Sequence, residues 1–166
     1  TPDNNFIIGE TPEVHNCFVA AGFNSAGIAC AGGAGKVLAE WIVGGEAPMD
    51  LWSVDIRRFT AQQNNRTFLR ARVAEVLGLH YQMAWPNREM ETARNIRKTP
   101  LYNRLATAGA CFGQKNGWER PNWFARPGEV AQTHYSFERQ NWFDAVAAEC
   151  KATREQVALF DQSTFA

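Results

Sequence analysis

An almost wholly apolar run at positions 16–22 leads into a glycine-containing turn at 22–28 and then into a glycine- and alanine-rich segment. A run of this kind is typical of a strand buried on both faces, which requires neighbouring strands in a sheet. A shorter apolar run at 6–9 predicts another strand, and Gly44 and Gly45 form a strong stop signal for a helix. The chain up to residue 45 therefore predicts strand, turn, strand, loop and helix, as in an α/β structure.

Three further helices are expected downstream. Positions 65–77 carry apolar residues at helical spacing, an arrangement that would leave Arg66, Arg70 and Arg72 pointing to solvent. Positions 100–117 predict a second helix, and 142–158 predict a third with its buried positions at Phe143, Val146, Ala147, Cys150 and Val157.

The segments between these helices are also informative. Residues 46–60 alternate apolar and polar positions as a connector, and 157–161 are expected to begin a strand. A polar, basic stretch at 87–99, with Arg88, Arg94, Arg97 and Lys98, is expected to be a solvated face or an interdomain contact. The fold class is therefore predicted to be mixed, α/β to α+β.

Composition and charge exclude several classes of function. The 166 residues carry 17 Lys and Arg against 17 Asp and Glu, and zero net charge argues against general nucleic-acid binding. With 45% hydrophobic and 20% charged residues, the chain is expected to fold. No window approaches the ~20 uninterrupted apolar residues of a membrane span. The four cysteines and three histidines are irregularly spaced, so reduced cysteines and no metal site are expected.

The turn at 22–27 is the strongest candidate for a binding site. Glycines between a strand and a helix allow backbone amides to approach a ligand closely. The first turn of the helix also offers unpaired N–H groups to an anionic or electron-rich atom. The pattern is not GxGxxG, so it is no dinucleotide fingerprint. The alternative is that these glycines only permit tight packing of helix against sheet.

The aromatic stretch at 118–124, with Trp142 and Phe143, is a second candidate. Together with Arg120, Arg126 and Arg139, these rings could line a pocket for an anionic or conjugated ligand. The alternative is that the large side chains form the core of a domain interface. No nucleophile–base pair, pair of carboxylates or phosphate-binding loop is recognisable, so no catalytic residue is assigned.

Two features lead us to expect a piece of a longer protein. A strand buried on both faces needs neighbours that residues before Thr1 would have to supply. Both ends of the chain also lie beside structured elements and not in polar tails.

Several motifs resemble a known enzyme family. Residues 1–12 and 18–28 resemble the end of the flavin domain in the glycine oxidase/D-amino-acid oxidase superfamily. Four further segments look like the dimethylglycine dehydrogenase/sarcosine dehydrogenase family of FAD-dependent oxidoreductases, namely 51–59, 67–70, 99–102 and 117–124. The regulatory subunit of pyruvate dehydrogenase phosphatase, a relative of these enzymes, shares the same features, including 24–27 and 39–41.

The resemblance covers essentially the whole chain and implies three domain segments. Residues 1–46 would be the end of the FAD-binding domain, 47–98 the central domain, and 99–166 the start of a folate-binding domain like the glycine-cleavage T protein. The resemblance also implies which residues lie against the isoalloxazine of FAD: Ile8, Gly9, Gly22, Phe23, Asn24, Ser25, Ala26, Gly27 and Ile28.

The activity implied by the family is oxidative N-demethylation of a small N-methylated amino acid of the dimethylglycine or sarcosine type. Hydride leaves the N-methyl carbon for FAD, and the one-carbon unit can pass to tetrahydrofolate. Oxygen or an electron-transfer flavoprotein would reoxidise the cofactor, in a bacterial cytoplasm or the mitochondrial matrix. This chain alone is expected neither to bind FAD tightly nor to turn over substrate. The alternative is a regulatory protein that kept the fold and lost the reaction.

Overall fold

The computed structural model describes residues 1–164, which form two compact units, Thr1–Met83 and a second that begins at Ala84. The first unit is built on a short antiparallel hairpin. Strand β1 (Ile7–Glu10) pairs with β2 (Phe18–Ala21), with Gly9 opposite Val19. The connector joins the other edge of β1, where the Ile8 N–H donates to the Val54 carbonyl at 2.9 Å.

Helix α1 (Gly27–Gly44) packs on this hairpin through Trp41, which meets the ring of Phe18 edge to face. The helix ends where the sequence predicts, because Gly45 adopts a left-handed φ of 79° and its N–H donates to the Trp41 carbonyl. Two short 3-10 helices, Ile56–Arg58 and Ala61–Gln63, follow in the connector.

Helix α2 (Arg66–Leu79) begins within one residue of the predicted start at position 65. Asn65 Oδ1 accepts a hydrogen bond from the Phe68 N–H at 2.8 Å and so caps the first turn. Arg70 lies at the surface as expected, whereas Arg72 is only 5% exposed, so the prediction that it points to solvent is wrong. Its guanidinium lies 5.1 Å from the centre of the Phe68 ring, and its apolar stem packs within the buried side of the helix.

The expectation that the 16–22 strand is buried on both faces is wrong for the part of the chain that is described. β2 is only four residues long, and while Phe18 and Val19 are half-buried, Ala20 and Ala21 are exposed. Within residues 1–164 the sheet consists of β1 and β2, and the contact of Phe18 with Trp41 of α1 covers the start of β2 but not Ala20 and Ala21.

The second unit contains a hairpin between two helices. Helix α3 (Tyr102–Thr107) is followed by β3 (Ala110–Lys115) and β4 (Trp118–Phe124), which pair antiparallel with an irregularity at Cys111/Phe112. Helix α4 (Phe143–Glu155) packs on β4. The core of this unit is formed by Cys111, Trp123 and Ala145, with Ala125, Trp142 and Val146 packed against it.

The predicted helix at 100–117 is wrong beyond its first turns. Gly109 adopts a φ of 91°, and a Cβ there would lie 2.7 Å from the Ala125 carbonyl oxygen, so the helix stops before it. The chain then turns back through Asn116 (φ 49°) and Gly117 (φ 81°). Two consecutive residues with positive φ make a turn whose twist matches that of a hairpin, which favours strands on either side.

Helix α4 begins where expected, but most of its predicted buried positions are wrong. Ala145 is buried and Val146 half-buried, whereas Phe143 is 43% and Val157 95% exposed. Ala147 and Cys150 are exposed as well. The rotation of the helix is set by Glu149, which faces β4 and accepts a hydrogen bond from the Phe124 N–H at 2.9 Å. Residues 157–161, expected to begin a strand, form none.

Candidate functional site

The candidate flavin-facing residues begin in β1. Ile8 is 2% exposed and Gly9 is buried with a φ of +115°, a conformation that L side chains rarely adopt. Trp41 lies directly behind Gly9, because a Cβ on Gly9 would be only 2.8 Å from two atoms of the indole ring, Cη2 and Cζ3. Ile8 and Gly9 are therefore held in place by β2 on one edge of β1, by the connector on the other edge, and by α1.

The turn after β2 has an unusual backbone conformation. Gly22, Asn24 and Ser25 have positive φ values of 68°, 42° and 52°. A Cβ on Gly22 would come within 2.6 Å of Thr1 Cγ2, so only glycine fits there. Consecutive non-glycine residues with positive φ, such as Asn24 and Ser25, raise the conformational energy of the backbone. They persist where the surrounding contacts enforce that conformation.

Contacts with the first residues of the chain enforce this turn. The Asn24 amide donates to Thr1 Oγ1 at 3.0 Å and to the Asn4 carbonyl at 2.8 Å. The Phe23 ring stacks on Phe6 with 4.6 Å between ring centres. Since Ile7 pairs with Ala21, the turn lies beside the start of β1, and the structure brings the two predicted groups of residues into one neighbourhood.

Helix α1 starts at this turn, and no side chain caps the backbone N–H groups of its first turn. Ala26 is the N-cap residue, and the first turn contains no acidic residue. The amides of the first turn have no partner within the helix, and the helix dipole favours negative charge at this end. Ile28 is fully exposed here. The unpaired N–H groups at the N-terminal end of α1 can thus donate to an electron-rich group, which fits the pyrimidine edge of a flavin.

Sequence reasoning missed a buried carboxylate beside this site. Asp55 is 5% exposed, and Oδ1 accepts from the Arg57 backbone N–H at 2.8 Å. The Arg57 guanidinium donates to both carboxylate oxygens, with Nη2 2.6 Å from Oδ2. Burial alone would raise the pKa of Asp55, but the hydrogen bonds from Arg57 outweigh it and hold that pKa below its usual value. The signal in the sequence was an Asp immediately before a helical turn, a preferred capping residue.

Arg58 is a second residue that the motif analysis passed over. Its side chain is 7% exposed, and Nε lies 2.6 Å from Asp3 Oδ2. The same guanidinium donates to the carbonyls of Phe6 and Asp55, each at 3.0 Å. Arg58 therefore joins the segment before β1 to the connector, and no local pattern indicates a pair 55 positions apart.

The second unit contains a cavity of about 710 Å³. Of the aromatic side chains suggested by the sequence, Trp123 and Trp142 line it, and both also belong to the core or pack against it. Trp118, Phe124 and Phe143 do not line it, and Phe112, which the sequence did not suggest, does. Arg120, Arg126 and Arg139, the arginines suggested by the sequence, are not among the lining residues, and Arg94 is.

Arg94 is fixed by a buried partner, Glu119, so of the two expectations for this basic stretch, a solvated face or an interdomain contact, the first is wrong for Arg94. Glu119 is 2% exposed and accepts from Arg94 Nε at 3.0 Å and from the Asn95 N–H at 2.6 Å. Burial would raise the pKa of Glu119, but the hydrogen bonds from Arg94 and Asn95, together with the positive charges of Arg94 and Lys98, outweigh it and lower the net pKa. Arg97 lies over the Trp118 ring at 4.8 Å from its centre.

Among residues 1–164, no group of three or more His, Cys, Asp or Glu side chains comes together in a way that could hold a metal ion. No helix there has the length and apolar character needed to cross a membrane.

Three family models match the chain in succession. Residues 1–41 match the FAD dependent oxidoreductase family, 44–99 the FAD dependent oxidoreductase central domain, and 101–166 the GCVT N-terminal domain. The predicted fold class is confirmed, since the chain carries part of an FAD-binding domain, a central domain and the start of a glycine-cleavage-T-like domain. The boundaries at 46/47 and 98/99 stay predictions.

Curated relatives align over the full chain. A 4-methylaminobutanoate oxidase (formaldehyde-forming) from Paenarthrobacter nicotinovorans is 57% identical over 166 residues, which is 100% of this chain and 20% of that protein. The mitochondrial pyruvate dehydrogenase phosphatase regulatory subunit of Mus musculus is 44% identical over 168 residues, covering 99% of this chain and 19% of that protein. The mitochondrial sarcosine dehydrogenase of Mus musculus is 35% identical over 191 residues, 99% of this chain and 21% of that protein.

The chain thus spans about a fifth of the length of these relatives. The family models match almost its whole length in the order FAD-binding domain, central domain and T-type domain, and the relatives share that span. The chain belongs to the dimethylglycine dehydrogenase/sarcosine dehydrogenase family of FAD-dependent oxidoreductases.

Proposed function

We propose that the protein containing this chain is an FAD-dependent enzyme that oxidatively demethylates a small N-methylated amino acid. The observation that carries the proposal is the open N-terminus of α1, with no capping side chain and no acidic residue in its first turn, beside the strained turn at Asn24 and Ser25. FAD, when bound, accepts the hydride that leaves the N-methyl carbon.

In this proposal the chain's own residues bind and orient. The amides at the start of α1 hold the electron-rich pyrimidine edge of the flavin and stabilise the negative charge that grows there on reduction. The residues of the turn, Gly22, Phe23, Asn24, Ser25, Ala26, Gly27 and Ile28, would form the protein surface facing the ring, with the buried Ile8 and Gly9 supporting it from β1. Their contacts with Trp41, Thr1 and Phe6 keep this surface rigid, and a preorganised surface needs no rearrangement during the reaction.

The substrate class follows from the relatives. One of them is named for 4-methylaminobutanoate and another for sarcosine, and both of these compounds are small N-methylated amino acids. We propose a substrate of this class, with dimethylglycine as a further member. Transfer of the one-carbon unit to tetrahydrofolate is supported by the match to the GCVT domain. Oxygen or an electron-transfer flavoprotein is the proposed electron acceptor, in a bacterial cytoplasm or the mitochondrial matrix.

A second candidate function is regulation without catalysis. It is supported by the 44% identity to the pyruvate dehydrogenase phosphatase regulatory subunit, which is higher than the 35% identity to sarcosine dehydrogenase. A protein of this kind would retain the fold and lack the demethylation reaction.

The test is an anaerobic titration of the full-length protein with 4-methylaminobutanoate, sarcosine and dimethylglycine, followed by absorbance. Flavin bands near roughly 370 and 450 nm that bleach with one of these amines, with formaldehyde released on reoxidation, would support the enzyme. A flavin that none of the three amines bleaches would favour the regulatory protein. A colourless full-length protein would contradict both the proposed cofactor and the enzyme.

A variant tests the role of α1 directly. Ala29→Asp places a carboxylate in the exposed first turn, where the helix dipole favours it but where it repels an electron-rich flavin edge. We expect the variant to fold normally and to bind FAD about fivefold more weakly, which corresponds to ~1 kcal/mol. Ala39→Asp, at an exposed position further along the same helix, is the control and should bind FAD like the wild type.

A further inference from the structure

Trp41 occupies the space behind Gly9. The indole is 3% exposed, and its six-membered ring approaches Gly9 so closely that no side chain could be added there. Gly9 lies in β1, where its left-handed φ leaves the peptide orientation dependent on its surroundings. The position of this peptide is therefore determined in large part by the tryptophan.

The Arg57 guanidinium lies over the indole of Trp41. Its guanidinium carbon lies 5.2 Å from the centre of the Trp41 ring, within the range of a cation–π contact. Asp55 holds that guanidinium in a fixed plane through hydrogen bonds to both Nε and Nη2. Asp55 itself cannot move freely, because residue 54 accepts the hydrogen bond from Ile8 at the edge of β1.

These contacts connect three segments of the chain to one another. β1 supplies Gly9, α1 supplies Trp41, and the connector supplies Asp55 and Arg57. The connector returns to β1 through the pairing of Ile8 with Asp55. A change in any member is thus transmitted to the backbone at Ile8 and Gly9.

We infer that Trp41, held by the Asp55–Arg57 pair, is a positioning residue that fixes the Ile8–Gly9 backbone and, through the pairing of β1 with β2, the flavin-facing turn at 22–28. This inference rests on the proposed function, because it takes that turn as part of the flavin-facing surface. Neither Trp41 nor Arg57 is assigned a chemical step. Their contribution is the placement of one peptide, and a misplacement of about 1 Å can cost up to about a hundredfold in rate.

The experiment uses the full-length flavoprotein with Trp41→Phe and Arg57→Met. Phenylalanine replaces the indole that contacts Gly9 by a smaller ring. Methionine keeps much of the length of the Arg57 side chain but removes its planar guanidinium group. Arg57→Lys retains the charge but not the bidentate, stacked geometry. The matched controls are Trp52→Phe, at a tryptophan that is 58% exposed, and Arg70→Met, at an exposed position of α2.

Three quantities are measured on protein with a wild-type circular dichroism spectrum: the dissociation constant of FAD from the apoprotein, the flavin absorption spectrum, and kcat with KM. We expect Trp41→Phe and Arg57→Met to weaken FAD binding and lower kcat, each by about tenfold, with a shifted flavin spectrum and KM within about twofold of wild type. Arg57→Lys should behave like Arg57→Met, and both controls like wild type.

Two outcomes overturn the inference while leaving the proposed function intact. In the first, the variants lose thermal stability but keep the FAD affinity, spectrum and kcat of the controls, which would make Trp41 a packing residue only. In the second, Arg57→Lys restores wild-type values, which would assign the effect to charge and not to placement. A wild-type protein without flavin would instead contradict the proposed function itself.

Discussion

Position 9 shows how a single residue can be required for two independent reasons. Its φ of +115° is rarely adopted by residues with a side chain, and the space that a Cβ would occupy is filled by Trp41 at 2.8 Å. The sequence alone places Gly9 at the end of a short apolar run that predicts a strand. The structure shows a buried glycine whose missing side chain is the reason that an indole can lie behind it.

We expect Gly9→Ala to lower the free energy of unfolding of the chain by about 1–3 kcal/mol, from backbone strain and from the contact with Trp41. Urea unfolding followed by tryptophan fluorescence measures this change. Gly32→Ala is the control, since it lies in α1 and a Cβ there meets nothing within 4 Å. Alanine at position 32 should raise stability by about 0.5–1 kcal/mol. An unchanged midpoint for Gly9→Ala would mean that Trp41 can move aside without cost.

Among the elements, the β3–β4 hairpin shows how distant side chains stabilise a local structure. Its Asn116–Gly117 turn is a local signal, but Glu119 in β4 is satisfied by Arg94 and Asn95, which belong to the segment before α3. The Glu119 N–H also donates to the Arg97 carbonyl at 2.9 Å. The hairpin is thereby joined to the basic stretch on one side and, through Phe124 and Glu149, to α4 on the other.

Glu119→Ala should destabilise the chain by about 3–5 kcal/mol, because it leaves the Arg94 guanidinium with an unmatched charge in a largely buried position. Glu155→Ala removes the carboxylate of an ion pair with Lys151, 3.9 Å apart, in which the Glu155 side chain is 60% exposed. That control should change stability by less than about 0.5 kcal/mol. Chemical denaturation of the three proteins compares them, and equal losses for the two variants would show that burial of the Glu119 pair is unimportant.

At the scale of the whole molecule, the buried carboxylates determine the response to acid. Asp55 and Glu119 both have pKa values below the ordinary 3.8 and 4.5 of these groups. In each case burial opposes the shift, and the hydrogen bonds to the carboxylate together with the neighbouring positive charges, chiefly those of Arg57 and Arg94, overcome it. The unfolded chain therefore binds protons at a higher pH than the folded chain does, and the ionised pairs stabilise the fold above about pH 4.5.

We expect the melting temperature of the chain to fall as the pH decreases from about 4.5 towards the lowered pKa values of the folded state. In Glu119→Gln, which cannot ionise, the part of this slope due to Glu119 should be absent. Thermal unfolding by circular dichroism at a series of pH values measures both slopes. The same slope in the variant as in the wild type would exclude Glu119 as a source of the acid sensitivity.

Local signals in the sequence were sufficient wherever the responsible contacts are themselves local. Gly45 ends α1 and Asn65 starts α2 through hydrogen bonds within a few residues, so both positions could be predicted. The Asn116–Gly117 pair is an equally local hairpin signal, and the predicted helix at 100–117 overlooked it. The family likewise followed from short motifs, and the matches of the family models confirmed it.

By itself, then, the sequence determined the family, the starts and ends of most helices, and the candidate flavin-facing residues as a prediction. Only the tertiary structure decided that Arg72 is buried and that Arg94 pairs with Glu119 and does not point into solvent. It also decided that Trp41 lies behind Gly9, with Arg57 and its partner Asp55 next to the indole. These contacts join residues up to tens of positions apart, and helical or strand periodicity carries no information about which distant segment fills a given space. Their energies depend on burial and on fixed geometry, which exist only once the chain has folded.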